Sequence, residues 1–122
     1  LPTLKVKSPG NQSIIKVVTN KNKEVMYLSR STIPFDFKNN NKYFKKHLSI
    51  ISFKPSALIK FSQTKETFLE KIEGVELLRA LEIGLKIKSI DLKGDSFSVD
   101  EYEDYLRAKD AMKKDFFYKK YK

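Results

Sequence analysis

At residues 67–84 the sequence reads TFLEKIEGVELLRALEIG, and the rest of the chain is organised around this stretch. Thr67 and Glu70 have the T-x-x-E spacing of a capping box, in which a hydroxyl and a carboxylate satisfy free amide groups at a helix start. Gly84 supplies a residue that adopts the left-handed conformation found after helix ends. The stretch therefore predicts one helix of about four turns between these two signals.

The predicted helix carries two charges on an apolar surface. At 100° per residue its apolar side chains cover most of the circumference, which predicts a helix buried on most sides. Glu76 and Arg79 project from the face that Phe68, Ile72 and Ile83 share. A charge on such a face must be paired or must face a polar cavity. The simple alternative is an i, i+3 ion pair between Glu76 and Arg79, worth about 0.2–0.5 kcal/mol.

The other segments alternate between strand and helix patterns. β-branched and apolar residues predict strands at 4–7, 14–19, 25–31, 47–53, 85–92 and 96–99. Helices are expected from Pro55 to about Gln63 and from about Glu101 onward. Residues 38–46 are polar and rich in asparagine, which predicts a mobile loop. This alternation predicts an α/β layer fold, in which ligands collect beyond the carboxyl ends of strands.

Length and composition exclude several classes of protein. The 122 residues and 14.2 kDa suit a single small domain, and a first residue other than methionine suits a fragment or processed product. No run approaches the roughly 18 apolar residues of a membrane helix, so no membrane partner is expected. Without cysteine there is no disulfide or thiolate metal site, and we expect a cytoplasmic protein. Neither a G-x-G-x-x-G nor a Walker pattern occurs.

The net charge of +10 raises nucleic acid as an alternative partner. Of the 25 basic residues only three are arginine, whereas readers of phosphates and bases depend on the bidentate arginine side chain. Scattered lysines usually form a solvated surface, so we do not expect nucleic acid binding. The alternative would depend on the lysine, tyrosine and phenylalanine residues of the tail, 115–122.

Several motifs, in the same order along the chain, resemble one family. They are KVV at 16–18, YLSRSTIPF at 27–35, HLSI at 47–50, LEKIEGVELLRALEIGLKIK at 69–88 and SFSVD at 96–100. These motifs resemble the VKVV, YFSRSxIPF, HxGIY, LEKxExLEQLRALExGxxIK and SxGVDTPEDL segments of CMP-Kdo synthetases, the 3-deoxy-manno-octulosonate cytidylyltransferases. The resemblance covers roughly residues 9–110 and is confined to the C-terminal half of that family.

The resemblance implies a fold and an activity. The fold would be the C-terminal part of a Rossmann-like nucleotide-sugar transferase with a mixed sheet, and residues 1–122 would be one unit that binds sugar and forms a homodimer. The family's CTP-binding half, with its basic phosphate loop, has no counterpart in this sequence. The implied reaction transfers CMP from CTP to Kdo or a related acidic sugar, releases pyrophosphate and uses Mg²⁺. We expect no catalytic residue in this chain and no activity without the other half.

The resemblance also assigns roles to three polar residues. Arg30 matches the arginine that contacts the acidic sugar, His47 the histidine of the sugar pocket, and Glu76 the glutamate that hydrogen-bonds sugar hydroxyls. An ordinary exposed arginine and a structural histidine are the alternatives for the first two. Leu77 replaces the glutamine of the E-Q-L-R motif, so a different sugar, or a non-catalytic binding domain of the same fold, is an alternative function.

Asp100 matches the family's magnesium-binding aspartate. Magnesium is a hard cation that prefers carboxylate and phosphate oxygens. The alternative is that Asp100 caps the last helix and Glu103, three residues later, completes a capping box. The family's Thr-Pro after this aspartate is replaced here by Glu101-Tyr102, which favours the capping alternative.

Overall fold

The structure is a computed structural model that describes residues 1–7, 9–40, 43–94, 96–99 and 101–121, without the side chain of Lys119. The strands of the described part are β1 (Pro2–Val6), β2 (Lys16–Thr19), β3 (Val25–Ser29), β4 (Phe44–His47) and β5 (Ile90–Asp91). Its helices are α1 (Pro55–Gln63), α2 (Phe68–Glu73), α3 (Leu77–Glu82), α4 (Tyr102–Lys114) and α5 (Phe116–Lys120). None of these helices is both long and apolar enough to cross a membrane.

The strands form one mixed sheet in the order β3-β2-β4-β1-β5. The β3-β2, β2-β4 and β4-β1 pairs are antiparallel, whereas β1 and β5 are parallel. The predicted hairpin between β2 and β3 is confirmed, and the Asn20 side chain accepts hydrogen bonds from the backbone of Asn22 and Glu24, each at 2.9 Å. The α/β class with a mixed sheet is therefore confirmed. The carboxyl ends of β3 and β4 lie on either side of the amino end of β2.

The core lies where α3 and Val75 before it pack on the sheet. Its buried members are apolar: Val17, Val25, Leu28, Val75, Leu77 and Leu78. Leu28 and Leu78 are completely buried, which fixes α3 against the centre of β3. The end of β3 consequently meets the end of α2, where Ser29 donates to the Glu73 carboxylate at 2.7 Å.

The prediction of one continuous helix over 67–84 is wrong, because the stretch forms two short helices. Gly74 has φ +60° and ends α2, with its N–H bonded to the Glu70 carbonyl at 2.8 Å. The carboxylate half of the predicted capping box is present at the start, where Glu70 accepts from the Thr67 N–H at 3.1 Å. The prediction of burial on most sides also fails for α2, since Phe68 is 70% and Ile72 66% exposed.

Three predicted strands differ from the structure in their bounds or are not formed. Strand β4 ends at His47 instead of beginning there, and the backbone bond from Leu48 to the carbonyl of Pro2 is the last one to β1. The segment 85–92 pairs with the same short strand only at Ile90–Asp91. The described residues 96–99 form no strand at all. The helix from Pro55 to Gln63 is confirmed, with proline in its first turn.

Candidate functional site

An open cleft of about 410 Å³ lies beyond the carboxyl end of β4. Its walls come from the segment before β2, from residues 46–50, from 96–98 and from α4. The polar and charged side chains of its lining are Asn11, Ser13, Lys46, His47, Ser49, Ser96, Ser98, Asp104 and Arg107. The cleft thus lies beyond a strand end, which is where ligands of α/β folds are expected.

His47 is the predicted sugar residue that lines this cleft. Its backbone N–H donates to the carbonyl of Ile15 at 3.1 Å, which fixes the end of β4 against the segment before β2. Its Nδ1 lies 2.9 Å from the carbonyl oxygen of Leu48, which can only accept, so Nδ1 carries the proton. Burial lowers the pKa of His47, the hydrogen bond to the Leu48 carbonyl opposes this, and the positive charge of Arg30 lowers it further, so that the net shift is downward. The imidazole is therefore neutral near pH 7, and Nε2 is a hydrogen-bond acceptor.

Arg30 directs its guanidinium at backbone carbonyls. Nε donates to Glu73 at 3.0 Å, Nη1 to Gln12 at 3.0 Å and Nη2 to Gly74 at 3.2 Å. Its own N–H donates to the Glu73 carboxylate at 3.0 Å. Arg30 thus joins the end of β3 to the turn after α2, and it does not line the cleft.

Glu76 lies on the surface between α2 and α3, and it does not line the cleft either. The alternative pair with Arg79 is wrong, because Arg79 binds Glu70 through Nε at 2.8 Å and Nη2 at 2.5 Å. Sequence reasoning missed this pair since Glu70 already had a role in the capping box. Glu76 and Arg79 were placed on one face by treating 67–84 as a single helix. Because the helix ends at Gly74, that face does not exist in the structure.

Leu77 belongs to the core and not to the cleft. It is only 3% exposed and packs with Val17, Val25 and Leu28. An amide at this position would need a hydrogen-bonding partner among apolar neighbours. Leu77, which replaces the glutamine of the E-Q-L-R motif, is therefore a core residue of this chain.

Two cations of the cleft were missed by the sequence analysis. Lys46 donates through Nζ to the carbonyl of Ser96, which joins β4 to the segment before α4. Arg107 stacks on Phe97, with its guanidinium carbon 4.0 Å from the ring centroid. The sequence signal was weak, since Lys46 stood in a predicted mobile loop and Arg107 in a helix with no assigned face.

Asp100 lies outside the described residues, so the structure does not place the predicted magnesium ligand. The capping box at the start of α4 uses Glu101 and Asp104, with the Glu101 N–H donating to Asp104 at 3.2 Å. The predicted box was one residue earlier. Among the described residues, no three histidine, cysteine, aspartate or glutamate side chains group closely enough to hold a metal ion.

Comparison with known proteins gives the family. The sequence model described as cytidylyltransferase matches residues 2–87, which is more than half of the chain. The chain belongs to the cytidylyltransferase family. The family resemblance of the sequence motifs is thereby confirmed, and the matched region includes Arg30, His47 and Glu76.

Curated members of this family are similar over most of the chain. A 3-deoxy-manno-octulosonate cytidylyltransferase of Fusobacterium nucleatum is 41% identical over 98 residues, which are 80% of this chain and 39% of that protein. The enzyme of that name from Thermodesulfovibrio yellowstonii is 43% identical over 101 residues, covering 77% of this chain and 39% of that protein. The chain thus matches about two fifths of the length of these relatives.

A solved structure shares the fold. It is CMP:2-keto-3-deoxy-manno-octonic acid synthetase complexed with CTP, and it superimposes with a TM-score of 0.83 over 93% of this chain and 48% of that chain. The sequence of that protein and the sequence of this chain are 24% identical. The fold predicted from the motifs is therefore confirmed as that of a nucleotide-sugar transferase.

Proposed function

We propose that this chain is the sugar-binding and dimerising part of a CMP-Kdo synthetase. The whole enzyme would transfer CMP from CTP to Kdo or a related acidic sugar and release pyrophosphate, in the cytoplasm. The relatives named 3-deoxy-manno-octulosonate cytidylyltransferase support this reaction. CTP would be bound by a second half, because the described residues hold a sugar-sized cleft but the sequence has no phosphate-binding loop.

The observation that carries the proposal is the charge of the cleft. Lys46 and Arg107 line it beside the neutral imidazole of His47, and Asp104 is the carboxylate of its described lining. Paired cations attract a carboxylate and form charge-assisted hydrogen bonds with it. A neutral imidazole accepts a hydrogen bond from a sugar hydroxyl through Nε2. The cleft therefore suits a hydroxylated acid such as Kdo.

The chain's contribution to the reaction is positioning. In CMP transfer the anomeric hydroxyl oxygen of the sugar attacks the α-phosphorus of CTP, and pyrophosphate leaves. Holding the hydroxyl in line with that bond supplies a large part of the rate. In this proposal His47 contacts the sugar, and Arg30 holds the segment before β2 through its bond to the Gln12 carbonyl. Glu76 is a proposed sugar contact, to be tested in the full-length protein.

Asp100 is the proposed magnesium ligand of this chain. When bound, Mg²⁺ would gather the phosphate charges of CTP. This ion takes one or two protein carboxylates together with waters and phosphate oxygens, so one aspartate from each half would suffice.

The proposed function is tested with the full-length protein that contains this chain and its CTP-binding half. Pyrophosphate release and CMP-sugar formation would be measured with CTP and Kdo. The controls replace CTP with ATP, or Kdo with a neutral hexose. We expect product only with CTP and an acidic sugar, and a higher KM for that sugar in His47→Gln. Equal turnover of acidic and neutral sugars would contradict the proposal.

A second candidate, a non-catalytic binding domain of this fold, is favoured by one observation. Two of the three predicted sugar residues, Arg30 and Glu76, do not line the cleft. This candidate predicts that calorimetry detects acidic-sugar binding by the full-length protein while no pyrophosphate is released. The proposed synthetase predicts both binding and release.

The segment after β3 carries the proposed homodimer contact. Phe35 is 82% and Phe37 88% exposed, and adjacent exposed aromatic residues mark interaction surfaces. Sedimentation of the full-length protein would give a dimer at tens of micromolar. Phe35→Ser combined with Phe37→Ser would shift it to a monomer, whereas Met26→Ser, an exposed apolar residue of β3, would not.

The aromatic tail is not a nucleic-acid site in this proposal, although it is exposed. Phe116 and Phe117 are 73% and 63% exposed and contact each other edge to face, with ring centroids 5.5 Å apart. We expect these rings to pack on the rest of the full-length protein. Salt-sensitive, submicromolar binding of single-stranded DNA that disappears when 115–122 is deleted would favour the nucleic-acid alternative.

A further inference from the structure

Lys16, the first residue of β2, has a completely buried side chain. Its ammonium group donates to three backbone carbonyls: Asn11 at 2.8 Å, Ile14 at 2.6 Å and Arg30. An ammonium group has three N–H donors, and these acceptors match that number. Lysine is almost never fully buried unless it is paired, so this side chain occupies a site built for a cation.

The position of Lys16 relates it to both sides of the proposed sugar site. In the sheet it is the cross-strand partner of Ser29 on β3 and of Lys46 on β4. These two residues immediately precede Arg30 and His47. The carbonyls of Asn11 and Ile14 belong to the segment that forms one wall of the cleft. The buried ammonium group therefore connects that wall with the end of β3, and the backbone of Lys16 pairs with the end of β4.

The surroundings of Lys16 act on its pKa in opposite directions. Burial and the positive charge of Arg30 lower the pKa of Lys16, while the Glu73 carboxylate raises it. The carboxylate of Glu73 also accepts from Ser29 at 2.7 Å and from the Arg30 N–H at 3.0 Å. An apolar side chain at position 16 would remove a hydrogen-bond donor from three carbonyl groups, although the Asn11 carbonyl would keep the Ile14 N–H at 3.3 Å, and such a loss is costly where the carbonyls are buried.

We infer that Lys16 is a positioning residue of the acidic-sugar cleft, because its ammonium group holds the 11–14 wall in register with Arg30 and His47. The identity of the ligand in this inference rests on the proposed function. Lys16 does not itself line the cleft, and its effect on the sugar passes through the carbonyls that it binds.

The test compares Lys16→Met with Lys21→Met in the full-length protein, because Lys21 is an exposed lysine of the β2–β3 turn. Lys16→Met should raise the KM for the acidic sugar at least about tenfold and change the KM for CTP less than about twofold. Lys21→Met should change neither. Lys16→Gln keeps two N–H donors without the charge, so it should give an intermediate KM and serves if Lys16→Met does not fold.

Two results would overturn the inference. If both Lys16 variants lose thermal stability while the KM for the sugar stays at the wild-type value, the residue has a role in stability alone. Amide hydrogen exchange gives the second readout, and we expect faster exchange at residues 11–15 in the Lys16 variants than in Lys21→Met. Unchanged exchange there contradicts the positioning role. If the wild-type protein makes no CMP-sugar, the proposed function fails, and the exchange result still decides about Lys16.

Discussion

Arg79 binds the carboxylate of Glu70 across the break between α2 and α3, through Nε at 2.8 Å and Nη2 at 2.5 Å. The two side chains are only 17% and 6% exposed. Arg79 also stacks on Phe61, with its guanidinium carbon 4.5 Å from the ring centroid, and donates to the Thr64 carbonyl at 3.3 Å. The bidentate pair therefore fixes α3 relative to α2, and the other two contacts of Arg79 fix α3 relative to the end of α1.

The first prediction is that Arg79→Met strongly destabilises the fold. Removing one partner of a buried ion pair leaves the other charge uncompensated, and we expect a loss of about 3 kcal/mol in the free energy of unfolding. Denaturant titration measures it. The matched control is Lys113→Met, which breaks the exposed pair with Asp110 and should leave the free energy of unfolding almost unchanged. Similar losses in the two variants would contradict the prediction.

The second prediction concerns the pH dependence of stability. Hydrogen bonds from Arg79 lower the pKa of Glu70, although burial opposes them. The unfolded chain therefore binds this proton more readily than the folded chain. The stabilisation is complete above the ordinary glutamate pKa of about 4.3 and is lost as the pH falls through the lowered folded value. Thermal unfolding from pH 6 to 3 should show a smaller decline in Glu70→Gln than in the wild type, and parallel declines would refute this.

The third prediction is that Gly74→Ala weakens the fold through its backbone. Gly74 has φ +60°, and an added Cβ would meet Arg30 Nε at an ordinary contact distance of 3.7 Å. The cost is thus conformational and should be about 1–2 kcal/mol. Gly10→Ala is the control, because a Cβ there has nothing within 4 Å. Equal midpoints of denaturation for the two variants would show that the bend does not need glycine.

The fourth prediction separates the two roles of Arg30. Lysine keeps the charge but cannot reach the carbonyls of Gln12, Glu73 and Gly74 together, as the guanidinium does. If Arg30 acts through these bonds, Arg30→Lys lowers thermal stability and raises the KM for the sugar only slightly. A direct sugar contact would instead raise that KM strongly at unchanged stability. Both quantities would be measured on the same preparation of full-length protein.

The fifth prediction is that Asp100→Asn abolishes turnover at limiting magnesium without unfolding the protein. Asparagine keeps a side-chain oxygen that caps a helix, so a capping residue would tolerate the change. A magnesium ligand would not, because the carboxylate charge is lost. Turnover against Mg²⁺ concentration and thermal stability would be measured together in the full-length enzyme. Asp110→Asn, at an exposed position of α4, is the control, and an unchanged rate in Asp100→Asn would eliminate the ligand role.

Much of the fold could be predicted from local sequence patterns. The T-x-x-E spacing at Thr67 correctly located a helix start, and Pro55 correctly marked the first turn of α1. The β-branched residues before Asn20 and after Lys23 gave the hairpin of β2 and β3. These features depend on neighbours in the chain, so the sequence expresses them directly. The family motifs extended this to the mixed sheet and to the nucleotide-sugar transferase fold.

Contacts between distant segments were decided only by the tertiary structure. Gly74 could continue a helix or end one, and the packing of α3 on β3 selected the second. Strand β4 ends at His47, the partner of Thr3 on β1, and no local pattern reveals this limit. The burial of Lys16 is the strongest case. A lysine between apolar residues looks like an exposed position of a strand, and only the tertiary structure brings the Arg30 carbonyl to its ammonium group beside the nearby carbonyls of Asn11 and Ile14.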